Sequence, residues 1–307
     1  MTLLARKRIL AAHIETNPGE AASLVAADAA CVVRDPTLVP DVPFAARDGL
    51  ASLSPLAGVP GAPTGTCSFK CDLVGGGSVD PWWANLMPAA GFGVSSRVYT
   101  PRSEPPGTHV KTCTLGLYVD GTLRQLRGAA AEKLIFSFVA GQPVDVEFQF
   151  KGIYMTPSDL GVLVPSAWPT ASPLRFISSA LALGSWNPRV SKLTIEVANT
   201  VQLCEDSRDP SGYAYGVIAG RAVTAKMDPE ASLLATKDVW AELIARTEAV
   251  LSLALGTAGN MVSFSAPKCQ FTKLTPGDRG GILVHEVEAQ LNRFAAGGDD
   301  ELSITIG

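Results

Sequence analysis

Apolar and polar residues alternate with a period of two through Asp145-Val146-Glu147-Phe148-Gln149-Phe150-Lys151, which predicts a strand with one dry and one wet face. The same grammar recurs along the chain. Lys7 to Glu15 reads as a strand, and Cys67 to Leu73 as a half-buried one that Gly75-Gly76-Gly77 breaks. Lys111 to Tyr118 and Thr122 to Arg127 flank Asp120-Gly121, a hairpin turn signal. Leu134 to Val139 and Val144 to Tyr154 flank Ala140-Gly141-Gln142, a second hairpin. Between them, Asp80 as N-cap and Pro81 in the first turn predict a helix over Trp82 to Ala90, stopped by Gly91.

Two stretches lack this regularity. From Arg34 to Thr64 the chain carries Pro36, Pro40, Pro43, Pro55, Pro60 and Pro63 among glycine and alanine, and reads as an extended arm. So long a structureless segment is expected to dock on something else. Pro157 to Pro188 is proline-rich and low in charge, the natural boundary between two halves. Beyond it come strands over Lys192 to Val197 and Gly220 to Met227, a turn at Asp228-Pro229-Glu230 and a helix over Lys237 to Thr247. Strands over Ala249 to Gly256, Asn260 to Lys273 and Gly281 to Leu291 follow.

The halves share an order. Trp83-Ala84-Asn85-Leu86-Met87 and Trp240-Ala241-Glu242-Leu243-Ile244 each follow a glycine-led strand and precede paired strands. On a helix, Trp and Leu three apart share a face, so each phrase is a packing signal. The expected fold is mainly β with one short helix per repeat, a duplicated β-sandwich or half-barrel. The expected organisation is an N-terminal strand and Pro/Ala-rich arm over 1–64, a first domain over 65–156, a linker over 157–190 and a second domain over 191–307.

Composition sharpens this picture. Of 307 residues, 47% are hydrophobic and only 18% charged, with a mean hydropathy of +0.21, so the chain must bury much of itself or bury surface against other copies. A net charge of -4 and a pI near 5.5 argue against a protein that grips nucleic acid. No apolar run is long enough to span a bilayer, and the run after Arg6-Lys7-Arg8 is too short for a signal peptide, so an unexported protein in a reducing cytoplasm is expected. Six cysteines show no Cys-x-x-Cys spacing, and Cys67 and Cys71 fall on one face of a strand as small apolar fillers.

Candidate chemistry is sparse. The sequence has no phosphate-binding loop of the Gly-x-x-x-x-Gly-Lys-Ser/Thr type and no Gly-x-Ser-x-Gly elbow, and its histidines are His13, His109 and His285 alone. His285-Glu286-x-Glu288 is read as a strand with its glutamates on the opposite face, not as a metal half-site. Asp299-Asp300-Glu301 lacks the alternate spacing of a calcium loop and is read as a solvated turn. No catalytic residue, cofactor or metal is expected. Asp278-Arg279-Gly280-Gly281 is a loop tip that either pairs charges with a neighbouring subunit or is an ordinary turn.

In its second half the sequence resembles the tail tube proteins of siphophages. The features are Gly220 leading a strand, Asp228-Pro229-Glu230, the helix with Trp240, Gly259-Asn260, Ala266-Pro267 and Asp278-Arg279-Gly280-Gly281. The first half resembles them through the run Pro81 to Phe92 and the strand Val144 to Tyr154. The resemblance implies a structural virion protein, not an enzyme. Strands of successive subunits would join edge to edge into an inner barrel, and rings would stack into a tube. Its partners would be further copies of itself, a tape-measure protein, a tail terminator, baseplate or tail-tip proteins, and viral double-stranded DNA in transit without specific binding. It would act in the virion tail after assembly in the host bacterial cytoplasm, with no membrane role. With two domains per chain, trimers of pseudo-sixfold symmetry are expected, and hexamers with an outer second domain are the alternative. Lys111, Asp145, Glu147 and Gln149 are expected to line the bore, with Asp278 and Arg279 at ring contacts. Competing readings are another ring-forming tail or capsid-associated protein such as a terminator, and a ligand-binding β-sandwich using Trp168 and Trp186.

Overall fold

A computed structural model describes residues 3–29, 32–49, 54–77, 80–103, 111–165 and 171–307. Cys31, His109 and Trp168 lie outside them. The strands are, in order, β1 (Arg8–Ile14), β2 (Val33–Asp41), β3 (Phe44–Asp48), β4 (Pro55–Pro60), β5 (Thr64–Asp72), β6 (Phe92–Ser95), β7 (Val98–Pro101), β8 (Cys113–Val119) and β9 (Thr122–Val139). They continue as β10 (Asp145–Tyr154), β11 (Ser158–Asp159), β12 (Ala180–Leu183), β13 (Lys192–Glu205), β14 (Tyr213–Met227), β15 (Glu248–Thr257), β16 (Asn260–Arg279), β17 (Ile282–Asn292) and β18 (Ser303–Ile306). A 3-10 helix spans Trp82–Ala90 and α1 spans Val239–Ala245. The chain is mainly β, as the alternation predicts, and its large sheet is antiparallel and not a closed barrel.

One pairing scheme occurs twice. In the first half β1 pairs β8, β8 pairs β9, β9 pairs β10 and β11, β10 pairs β5 and β5 pairs β2. In the second half β12 pairs β15, β15 pairs β16, β16 pairs β17 and β18, β17 pairs β14 and β14 pairs β13. The 3-10 helix lies between β5 and β8 in sequence, and α1 lies between β14 and β15. The halves meet where Lys133 to Val139 of β9 pair with Lys192 to Ala198 of β13, making one continuous sheet. A second link pairs Tyr99 of β7 with Ile304 of β18.

Local chemistry explains the elements that spacing predicts. Asp120 (φ 39°) and Gly121 (φ 102°) both adopt the left-handed region that a tight β8–β9 hairpin demands. Pro88 lies inside the 3-10 helix, where its missing N–H denies a regular α ladder, and Gly91 ends the element at φ 84°. Asp80 does not cap that helix: its carboxylate instead accepts from Arg97 Nε at 2.7 Å and Tyr99 Oη at 2.8 Å. Asp238 caps α1, accepting from Ala241 N at 2.8 Å.

Parts of the two stretches read as irregular form strands. Within the supposed arm, β2 pairs β5, and β3 with β4 forms a separate two-stranded sheet. Prolines hide the alternation of β2, yet an edge strand tolerates them because only one of its sides donates to a ladder. In the proline-rich boundary, β11 pairs β9 and β12 pairs β15.

The core runs through both halves. Phe264 of β16 packs edge-on against Phe136 and Phe138 of β9, with ring centroids 5.0 and 5.4 Å apart. Phe69, Phe148 and Phe150 stack beneath the first half, and Trp83 of the helix meets Phe136 edge-on while its Nε1 donates to Val74 O at 3.0 Å. Cys67 and Cys71 are buried on the same strand face, and burial lifts the Cys67 thiol to about 12, so it stays protonated as an apolar filler.

Candidate functional site

The feature that stands out is a polar sheet face shared by eight strands in the order β2-β5-β10-β9-β13-β14-β17-β16. Because side chains alternate across a strand, the apolar set of each strand turns to the core and the polar set to this face. Directly opposed residues form rows across the junction between halves. One row is Lys70, Glu147, Ile135, Glu196, Thr224 and Gln290. The next is Asp72, Asp145, Ser137, Thr194, Lys226 and Glu288.

Several charges on the face are paired. Glu147 pairs with Lys70 at 3.5 Å, Glu196 with Lys133 at 3.7 Å, and Glu288 with Lys273 at 3.4 Å and Lys226 at 4.0 Å. Arg34 reaches both Asp72 at 2.7 Å and Asp145 at 2.6 Å. The hydrogen bond from Arg34 to Asp145 raises the guanidinium pKa, so that cation is permanent. Gln149 donates to Glu147 Oε1 at 2.9 Å. Cross-strand pairs of this kind steady a sheet and leave little net field above it.

Of the residues singled out from the sequence, Asp145, Glu147 and Gln149 come together on this face. Lys111 is exposed in the segment before β8 and lies outside it. Asp278 and Arg279 sit at the tip of the β16–β17 hairpin, where Asp278 accepts from Gly281 N at 3.1 Å. Arg279 is engaged within its own chain, reaching Asp228 Oδ2 at 3.0 Å and Glu230 Oε1 at 2.8 Å. Spacing alone does not reveal Thr194, Glu196, Lys226 and Glu288, which extend the same surface. Their strands alternate visibly, but the joining of β9 to β13 does not show in sequence.

The other candidates resolve into packing. Arg221 binds Asp299 at 2.8 Å and Glu301 at 2.6 Å, while Asp300 accepts from Phe294 N and Ala295 N at 2.9 and 2.6 Å. That triplet is thus a set of ion pairs and turn caps. His285 is buried, its ring edge-on to Trp240 at 5.8 Å. Trp186 exchanges backbone hydrogen bonds with Leu183, and Lys237 Nζ lies 5.3 Å from its ring centroid, so its face is taken up within its own half. Among the described residues no group of three His, Cys, Asp or Glu is placed to hold a metal, and no helix is long and apolar enough to cross a membrane.

A family model described as phage tail tube protein matches residues 5–307, nearly the whole chain. No curated protein matches.

Proposed function

The chain belongs to the phage tail tube protein family, and from that premise we propose that it polymerises as stacked rings whose polar eight-stranded face lines the bore. Membership makes it a structural component of the virion tail that assembles with other copies of itself. The finer reading rests on one observation, the pairing scheme that occurs twice around the β9–β13 junction. It favours a chain built of two equivalent units, 8–159 and 180–306, each supplying four strands of the face. Three such chains then close a ring of six near-equivalent positions, and the internal junction is the template for the junction between chains. Closure removes the free sheet edges that a single chain leaves at β2 and at the distal part of β16.

On this reading the bore holds a tape-measure protein before infection and passes double-stranded DNA during it. Its alternating acids and bases suit passage without capture, since capture of phosphate needs uncompensated cations. Terminator and tail-tip proteins would cap the two ends, and assembly would take place in the host bacterial cytoplasm. Electron microscopy of the purified protein, with class averages of end-on views, tests the proposal. Rings or tubes with three chains per ring are expected. Six chains per ring sinks the two-position reading, and a persistent monomer sinks the tube.

A further inference from the structure

The two strands that end the polar face are open on their outer sides. Among the described residues no strand pairs with β2 on the side away from β5, or with β16 over 272–279 on the side away from β17. Inside the chain the equivalent strands are joined, because β9 and β16 carry the same irregularities. Against β8, β9 slips between Ala129 and Leu126; against β15, β16 slips between Cys269 and Ala266. Against β10, β9 holds an extra residue between Ala131 and Lys133; against β17, β16 holds one between Phe271 and Lys273. Both irregularities coincide when Lys133 is matched to Lys273. That match sets Leu274, Thr275, Pro276 and Gly277 in the places of Leu134, Ile135, Phe136 and Ser137. Followed through β10 with β5 and β17 with β14, it sets Thr37 to Asp41 of β2 in the places of Thr194 to Ala198 of β13. The β9–β13 junction therefore supplies a register for β16 against β2 of another copy.

The two edges are complementary in that register. Ala140 N donates to Ser191 O, so by alternation Phe136 with Ile195, and Leu134 with Val197, exchange bonds in both directions across the junction. Their counterparts are Pro276 facing Leu38 and Leu274 facing Pro40. These residues do turn to the open sides. His285 N donates to Pro229 O, away from β16, so the opposed Pro276 also turns its backbone away from β17. Leu73 N donates to Val144 O, which by alternation directs Thr37 and Val39 to β5 and Leu38 and Pro40 outward. Each facing pair thus holds one proline and one N–H, Leu38 donating to Pro276 O and Leu274 to Pro40 O. The Leu38 carbonyl, which Pro276 has no N–H to serve, lies 3.5 Å from Arg124 Nη1 of its own chain. A slip of two residues either way sets Pro276 against Pro36 or Pro40 with no donor between them, and a slip of one turns the apolar set to the polar face. Burial asks for the same partner. Phe136 and Val197 are 0% exposed, whereas Pro276 and Pro40 in their places are exposed.

We infer that β16 of one chain pairs antiparallel with β2 of a second copy in the one register that sets Asp41 opposite Lys273, Val39 opposite Thr275 and Thr37 opposite Gly277, and that the edge prolines select it. Asp41 and Lys273, both exposed, then join opposite charges across the seam. The inference rests on the ring reading for its setting and adds to it the register and the residues that enforce it. Val39 and Thr275 are exposed and fall at a non-hydrogen-bonded position, where opposed Cα atoms lie about 4.5 Å apart, within disulfide reach. Val39→Cys and Thr275→Cys are made in separate chains, checked by far-UV circular dichroism, mixed at equal concentration, oxidised and run on a non-reducing denaturing gel. The mixture is expected to give a covalent dimer well above the background that the unaltered chain gives from its own cysteines. Each variant alone, and a mixture of Thr37→Cys with Thr275→Cys two positions out of register, are expected to stay at that background. No cross-link above background while the unaltered chain forms rings in electron micrographs overturns the seam and leaves the ring. Equal cross-linking by the out-of-register mixture overturns the register. In-register cross-links within open chains overturn the ring and leave the seam. An unaltered chain that never self-associates overturns both.

Discussion

Glu15 Oε1 accepts the backbone N–H of Gly128 at 2.7 Å, tying the residue after β1 to the bulge of the long strand β9. The same carboxylate accepts from Thr114 Oγ1 at 2.7 Å, Thr112 Oγ1 at 2.6 Å and Gly19 N at 2.7 Å, and is 1% exposed. Four donors converge on one buried side chain, and removing it strands them in a dry site. Each buried polar group left unpaired costs about 1–3 kcal/mol. Glu15→Ala is therefore expected to destabilise the monomer by more than about 3 kcal/mol, measured by urea unfolding under conditions that prevent assembly. A loss below about 1 kcal/mol would mean that water replaces the carboxylate, contrary to this account.

Much of this fold is written locally in the sequence. Asp120-Gly121 announces its hairpin through backbone conformations that few other residue pairs reach, and Pro81 and Gly91 bracket their helix. The clean alternation of Asp145 to Lys151 places Asp145, Glu147 and Gln149 on one face without any knowledge of neighbours. Register between distant strands is another matter. That Ile135 faces Glu196 depends on packing of Phe136, Phe138 and Ile195 into a common core, which no spacing encodes. Pro36 and Pro40 hide strand β2 from any test of alternation. Lys111 reads as a strand residue by its spacing, but β8 begins two positions later, at Cys113.

Arg127 Nη2 grips Asp209 at 2.7 and 2.8 Å, fastening β9 to the loop between β13 and β14. Burial pushes the Asp209 carboxyl up, but hydrogen bonds from Ser211 and Arg127 outweigh it and hold the carboxyl at about 2, against 3.8 for the free group. A depressed carboxylate stabilises the fold above the unfolded pKa and loses that contribution as pH falls through the folded one. The stability gap between the unaltered chain and Asp209→Asn should thus be constant near neutrality, shrink from about pH 4 downward and vanish below about pH 2. Urea midpoints at a series of pH values check this. A gap that persists unchanged at the lowest pH assigns it to packing instead.

Phe264 carries the core across the two halves through its edge-on contacts with Phe136 and Phe138. Because the buried cluster is shared, the halves are expected to unfold together, in one calorimetric transition whose enthalpy matches the van't Hoff value. Phe264→Ala leaves a cavity against rings that cannot collapse into it and is expected to cost about 3–5 kcal/mol, with the single transition preserved at lower temperature. Two resolved transitions in the unaltered chain would show that each half folds by itself and that the shared aromatic cluster couples them weakly.

Glu147 lies 3.5 Å from Lys70 on the polar face, with both side chains partly open to water. Exposed pairs of this kind contribute at most about 1 kcal/mol, so Glu147→Lys should leave the monomer's unfolding midpoint nearly unchanged. Replacing the acid turns a compensated pair into two adjacent cations, which a tube lined by this face would repeat in every copy. If the polar face is the lumen, tubes of normal length form, and passing DNA is retained by phosphate contacts that the unaltered face does not offer. Such contacts weaken steeply with added salt. Phage carrying Glu147→Lys should then eject DNA more slowly at low ionic strength and recover toward the unaltered rate as salt is raised. The same substitution on an outer wall gives no such defect, so salt-independent, unaltered ejection from well-formed tails would place this face away from the DNA.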